Sequence, residues 1–286
     1  MYRPHFHLTD APFRLTPDTE FFYPGSVHQE ALNVLLVALA DGEGFVKITG
    51  EVGLGKTLLC RALLAQLDDG FQSCWIPNPD QSPASMRAAL ARELGIEVPR
   101  NPGAELLLQL ITARLLELVA TGKRVVLLID EAQALPTPTL EAVRLLTNLE
   151  TERRKLLQVV LFGQPELDRR LAQPGLRQLL QRISFSHRLQ PLDERAVVDY
   201  VRHRLRVAGH PDGDLFSAAA LRQLARSSGG VPRLINILAH KALLAAWGRG
   251  RARVGRAELA RAEADTEAVP ASPWRRFTRR CWAVWS

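Results

Sequence analysis

Apolar positions along this chain follow two rhythms. Short apolar runs with a β-branched bias, Gly44–Thr49, Phe71–Ile76, Arg124–Asp130 and Leu157–Phe162, read as buried strands, and Ile183–Leu189 alternates as a fifth. Between them, apolar residues three and four apart predict helices over His28–Leu39, Leu58–Leu67, Ser82–Leu94, Ala104–Ala120 and Leu140–Leu149. Strands separated by helices imply a parallel sheet covered on both faces, an α/β fold with five strands. From Pro191 onward the pattern is helical only: Asp193–Val207, Ser217–Arg226, Pro232–Trp247 and Arg256–Glu267. The predicted organisation is therefore an N-terminal extended segment over 1–27, rich in proline and aromatics, an α/β domain over 28–190, a helical lid over 191–268 and a tail over 269–286.

Composition narrows this picture only a little. The 286 residues are 47% hydrophobic and 23% charged, which suits a chain that buries a large core and excludes wholesale disorder. Three cysteines, Cys60, Cys74 and Cys281, form no CxxC pair, so neither a disulfide framework nor a zinc site is expected, and a reducing cytoplasm fits. The N-terminus lacks an apolar signal core, and no window reaches the length of a membrane span. The net charge of +7 allows nucleic acid or an anionic lipid surface as a partner without demanding either.

Candidate chemistry changes the picture more. Gly50-Glu51-Val52-Gly53-Leu54-Gly55-Lys56-Thr57 matches the phosphate-loop pattern GxxxxGK[ST], between a predicted strand and a predicted helix opened by Leu58. Its glycines let consecutive N–H groups turn toward one anion; Lys56 would reach the β- and γ-phosphates and Thr57 would hold Mg²⁺. The third strand ends in Asp130-Glu131, at the sheet edge where ligands bind. Asp130 is the expected Mg²⁺ partner and Glu131 the expected general base. The fourth strand ends at Gln164, which can orient water near a γ-phosphate. Arg182, before the fifth strand, is the candidate arginine that reaches a neighbouring subunit's nucleotide, with Arg177 as its competitor. Arg233 projects from the first turn of a lid helix launched by Gly229-Gly230-Val231-Pro232, where it could contact the γ-phosphate.

These residues, in this order, resemble the AAA+ ATPases, P-loop NTPases with a helical lid. More narrowly the chain is similar to the ExeA/GspA group, through Phe13–Asp18 with Phe21-Phe22, Leu145–Glu152, Val160–Leu167 and Pro232–Leu238. The stretch from Gly42 to Arg61 points to the subgroup of MSHA pilus biogenesis ATPases (MshM). The resemblance covers residues 1–265. It implies ATP and Mg²⁺ as cofactors, nucleotide held by Gly50–Leu58, metal held by Thr57 and Asp130, and catalytic roles for Glu131, Gln164, Arg182 and Arg233. It also implies a homo-oligomer working with an inner-membrane pilus or secretion assembly protein. Secretion members of the group continue into a membrane span and a peptidoglycan-binding domain. Residues 1–286 carry neither, so a part in pilus or secretion assembly is expected rather than direct cell-wall remodelling.

The tail, Trp274–Ser286, holds four arginines, three tryptophans, a phenylalanine and no acid. It is a candidate contact for an anionic membrane surface, giving a cytoplasmic protein peripheral to the inner membrane. A frayed terminus is the alternative. A DNA-associated AAA+ regulator of the transposition type shares much of this core, but no helix-turn-helix or separate basic arm is evident.

Overall fold

The computed structural model describes residues 2–269 except 26, 78, 80, 101 and 151–154. The chain forms two compact units. One is Ser26–Gln190; the other draws its described residues from Met1–Gly25 and Pro191–Ser286. The predicted tail, and Cys281 within it, lie outside the described residues.

The first unit is built from α1 (Val27–Ala40), β1 (Phe45–Thr49), α2 (Lys56–Gln66), β2 (Phe71–Ile76), α3 (Pro83–Glu93), α4 (Ala104–Ala120), β3 (Arg124–Ile129), α5 (Thr137–Leu146), β4 (Gln158–Gly163), α6 (Pro165–Leu171), α7 (Arg177–Leu180) and β5 (Phe185–Arg188). The sheet is parallel throughout, in the order β2-β3-β4-β1-β5. Strands β1, β3 and β4 are largely apolar and buried on both faces because helices cover both. Phe45, Leu127, Val159 and Leu161 belong to a core with Met86, Leu90, Ile111, Leu115 and Leu140 of α3, α4 and α5. The alternate residues Val46, Ile48, Val126, Leu128, Val160 and Phe162 are equally buried. Each such side chain contributes about 1.5–3 kcal/mol of transfer free energy. The register aligns Thr49 with Gly163 and Ile129 with Leu161, so the chain leaves β1, β3 and β4 at one edge.

Helix boundaries differ from expectation where capping decides. α5 starts three residues before the predicted Leu140, because Pro136 and Pro138 suit a first turn that needs no N–H from them. It stops at Leu146, where the Thr147 hydroxyl bonds back to the Arg144 carbonyl at 2.7 Å. α6 has no counterpart in the sequence reading; seven residues are too few to show a helical period, although Pro165 and Glu166 suit a first turn.

The second unit joins α8 (Glu194–Val207), α9 (Ala218–Ser228), α10 (Pro232–Trp247) and α11 (Arg256–Ala264) to the N-terminal residues. The 1–27 segment, expected to lie extended on the domain, packs into this unit. It makes two 3-10 turns, Pro4–Phe6 and Thr19–Phe21, and buries Tyr2, Phe6, Leu8, Phe13 and Phe21 in the same core as α8–α11. Arg204 of α8, 4% exposed, bonds the Pro12 carbonyl at 2.5 Å and lies 4.7 Å over the Phe21 ring. Tyr200 donates to Asn236 Oδ1 at 3.0 Å, and Asn236 reaches the Arg14 carbonyl. Widely spaced aromatics thus anchor an otherwise irregular segment. Among the described residues no helix is long and apolar enough to cross a membrane.

Candidate nucleotide-binding site

Three connections converge at the C-terminal edge of the sheet. After β1 the chain turns through Gly50–Gly55 into α2. Gly53 and Gly55 have φ of 85° and 88°, in the left-handed region that favours glycine. A Cβ on Gly55 would also lie 3.1 Å from His28 Nε2. Leu54, 1% exposed, pins the loop to the core, and its carbonyl accepts a 2.6 Å bond from His28 Nε2 on α1. That bond requires the tautomer with a proton on Nε2, since a carbonyl only accepts. Burial lowers the His28 pKa, keeping the ring neutral.

No side chain caps the N-terminus of α2. Its first N–H groups therefore stay available for an anion, with the positive end of the helix dipole behind them. Lys56 is 5% exposed and folds back on the loop, donating to the Gly50 and Glu51 carbonyls at 2.8 and 3.1 Å. Burial lowers its pKa, with Glu131 and Asp130 acting in the opposite direction. Thr57 donates to Asp130 Oδ2 at 2.6 Å, while the Glu131 N–H donates to Asp130 Oδ1 at 2.9 Å. Asp130 is 3% exposed and burial raises its pKa, only partly countered by those two bonds. A cation that hard oxygens can hold, Mg²⁺ above all, fits a hydroxyl and a desolvated carboxylate that meet at 2.6 Å. A bound phosphate would add countercharge directly beside the buried Lys56 ammonium.

Glu131 adopts φ 50°, one of two described non-glycine residues with positive φ. Such a conformation costs about 1–3 kcal/mol and persists where neighbours enforce it. Gln164, at the start of α6, donates its Nε2 to Glu131 Oε2 at 3.2 Å. Gln133, in the 3-10 turn Ala132–Ala134, donates its Nε2 to the same oxygen at 2.5 Å. The Gln133 Oε1 in turn accepts from the Gln164 N–H at 2.9 Å.

The structure therefore gathers Gly50–Leu58, Asp130, Glu131 and Gln164 at one edge. It does not bring Arg182 there. Arg182 precedes β5, at the opposite edge of the sheet, with Nη1 3.5 Å from Thr147 Oγ1. Arg177 is exposed at the start of α7. Arg233 belongs to the other unit, exposed on the first turn of α10. Sequence reading missed Gln133 and His28. Gln133 sits two residues beyond Glu131 and becomes a neighbour only through the left-handed backbone there. His28 stands on a helix face among apolar residues, where nothing in the local pattern marks it as a partner of the loop.

Residues 39–171 match a family model described as an AAA domain. The chain is 45% identical over 269 residues to general secretion pathway protein A of Aeromonas hydrophila. That match takes in 94% of this chain and 49% of the relative, so the chain spans about half the relative's length. Among solved structures, the Aeropyrum pernix ORC2 protein in its ADPNP–ADP complexes superposes with a TM-score of 0.66 at 16% identity, over 90% of this chain and 73% of that one. Cdc6p from Pyrobaculum aerophilum gives 0.64 at 22% identity, over 83% and 68%.

The fold is that of the AAA P-loop proteins. At these identities the structural neighbours speak to fold alone; the secretion-pathway relative carries the resemblance in sequence.

Proposed function

We propose that this chain is an AAA+ ATPase of the ExeA/GspA group that hydrolyses ATP and uses its nucleotide state as an assembly switch in type II secretion or in MSHA-like type IV pilus biogenesis. The observation that carries this reading is the meeting of Thr57 with Asp130, and of Gln164 with Glu131, directly beside the phosphate loop. Mg²⁺, when bound, would supply positive charge against the phosphate oxygens. Thr57 and Asp130 would hold the metal. The N–H groups of Gly53–Thr57 would cradle the phosphates, and Lys56 would leave the loop carbonyls for the β- and γ-phosphates. Glu131 would take a proton from the attacking water, while Gln164 orients that water by hydrogen bonding.

Arg182 cannot reach the nucleotide held by its own phosphate-loop edge, since it stands at the far end of β5. In this reading it completes the site of a neighbouring copy, and the working form is a homo-oligomer. Arg233 reports nucleotide state to the helical unit. The likeness to general secretion pathway protein A supports a place in secretion; in this reading the partner is a secretion or pilus assembly protein at the inner membrane, and the chain is cytoplasmic and peripheral.

Glu131→Gln is the direct test. It should bind Mg·ATP as tightly as wild type while phosphate release falls by about 10²–10⁴, the usual contribution of a positioned base. Wild-type turnover in this variant contradicts the assignment.

A further inference from the structure

The turn after β3 brings a second amide to the Glu131 carboxylate, from a residue given no task so far. We infer that Gln133 is a positioning residue that aims Glu131 and locks it to the end of β4, so that Glu131 and Gln164 face one water as a unit. This rests on the hydrolysis reading above.

The hydrogen bonds fix which way the Gln133 amide points. The Gln164 N–H can only donate, so the atom 2.9 Å from it is the Gln133 oxygen. The opposite end of the amide is then the NH₂ group, and it faces a carboxylate that only accepts, at 2.5 Å. One planar amide therefore spans from the base on the β3 turn to the backbone of the sensing residue after β4. Gln164 closes the ring by donating its own amide to the same Glu131 oxygen at 3.2 Å.

Gln133 is itself held from two directions. Its carbonyl accepts from Arg170 Nη1 on α6, and the other Arg170 nitrogen bonds the Leu135 carbonyl at 2.5 Å. Gly163 borders the side chain without crowding it: a Cβ there would make an ordinary 3.4 Å contact with Gln133 Oε1, and its close approach, 2.7 Å, would be to Leu167 Cδ2. The left-handed Glu131 turns the chain so that residue 133 folds back over residue 131. A carboxylate with one oxygen already held by two amides keeps its other oxygen for water.

Phosphate release at saturating Mg·ATP, together with Mg·ATP affinity by calorimetry, tests this in full-length Gln133→Leu and Gln133→Glu proteins. Both should bind Mg·ATP within about twofold of wild type and turn over about ten- to a hundredfold more slowly, as when a supporting partner of a reactive group is lost. Gln133→Glu keeps the shape and the acceptor for the Gln164 N–H but sets a like charge against Glu131. It should be at least as slow as Gln133→Leu. A merely structural role orders them the other way, with the shape-keeping glutamate the more active. That order, wild-type turnover in Gln133→Leu, or turnover and affinity falling together would each overturn the inference. If wild type hydrolyses ATP and Glu131→Gln does not, any of those outcomes removes the role of Gln133 alone. If wild type does not hydrolyse Mg·ATP at all, the hydrolysis reading falls and takes this inference with it.

Discussion

Lys56 and Asp130 are each held in surroundings that disfavour their charge, one carrying the ammonium and the other the carboxylate. For Asp130 the folded pKa lies above the ordinary 3.8, so the stability contributed by its protonated form is lost as pH rises past that window. At neutral pH its ionised form is a cost to the fold. Asp130→Asn should therefore melt at the same temperature as the ligand-free wild type or higher, while losing Mg²⁺-dependent hydrolysis. A clear drop in melting temperature contradicts this. His28 has the opposite sign. Its folded pKa lies below 6.5, so the unfolded chain takes up a proton first and stability falls as pH drops below 6.5. His203 and His240 shift the same way. The pH dependence of the unfolding midpoint should flatten in His28→Gln; an unchanged slope counts against a neutral buried imidazole beneath the loop. The phosphate loop was readable from sequence because its chemistry is local, backbone N–H groups followed by one lysine and one threonine. Gln133 was not, because only the φ of Glu131 makes it a neighbour of that carboxylate.

At the level of elements, the five strands and most helices could be read from periodicity, since buried parallel strands are continuous apolar runs and α1, α4 and α10 carry long apolar stripes. What periodicity could not show was how the N-terminal residues fold. Their anchors, Phe6, Phe13 and Phe21, are too far apart to register as an element, yet they share a core with α8–α11. The same unit turns on Gly230. Its φ is 74°, and a Cβ there would stand 2.0 Å from the Leu192 carbonyl oxygen, which is backbone and cannot move aside cheaply. Gly230→Ala should destabilise the protein by several times the loss in Ser217→Ala, which removes only an N-cap bond worth about 1 kcal/mol. Denaturant midpoints with similar losses for the two would mean the Leu192 segment yields more readily than its close approach implies.

For the molecule as a whole, β5 runs parallel beside β1, so Arg182, ahead of β5, lies a strand's length from the phosphate loop that follows β1, and that separation is the case for a nucleotide shared between copies. Arg182→Ala should hydrolyse poorly alone. Mixed with Glu131→Gln subunits it should recover part of the activity, since one partner lends the arginine and the other the base. No recovery at any mixing ratio contradicts a role for Arg182 on a neighbour's nucleotide. All of these outcomes presuppose that a metal-bound triphosphate settles on the uncapped start of α2 between Lys56 and Asp130. Calorimetric titration of the full chain with Mg·ATP measures that directly. Saturable heat in wild type and none in Lys56→Ala is the expected result; no heat from wild type, or equal heat from both, would contradict the site.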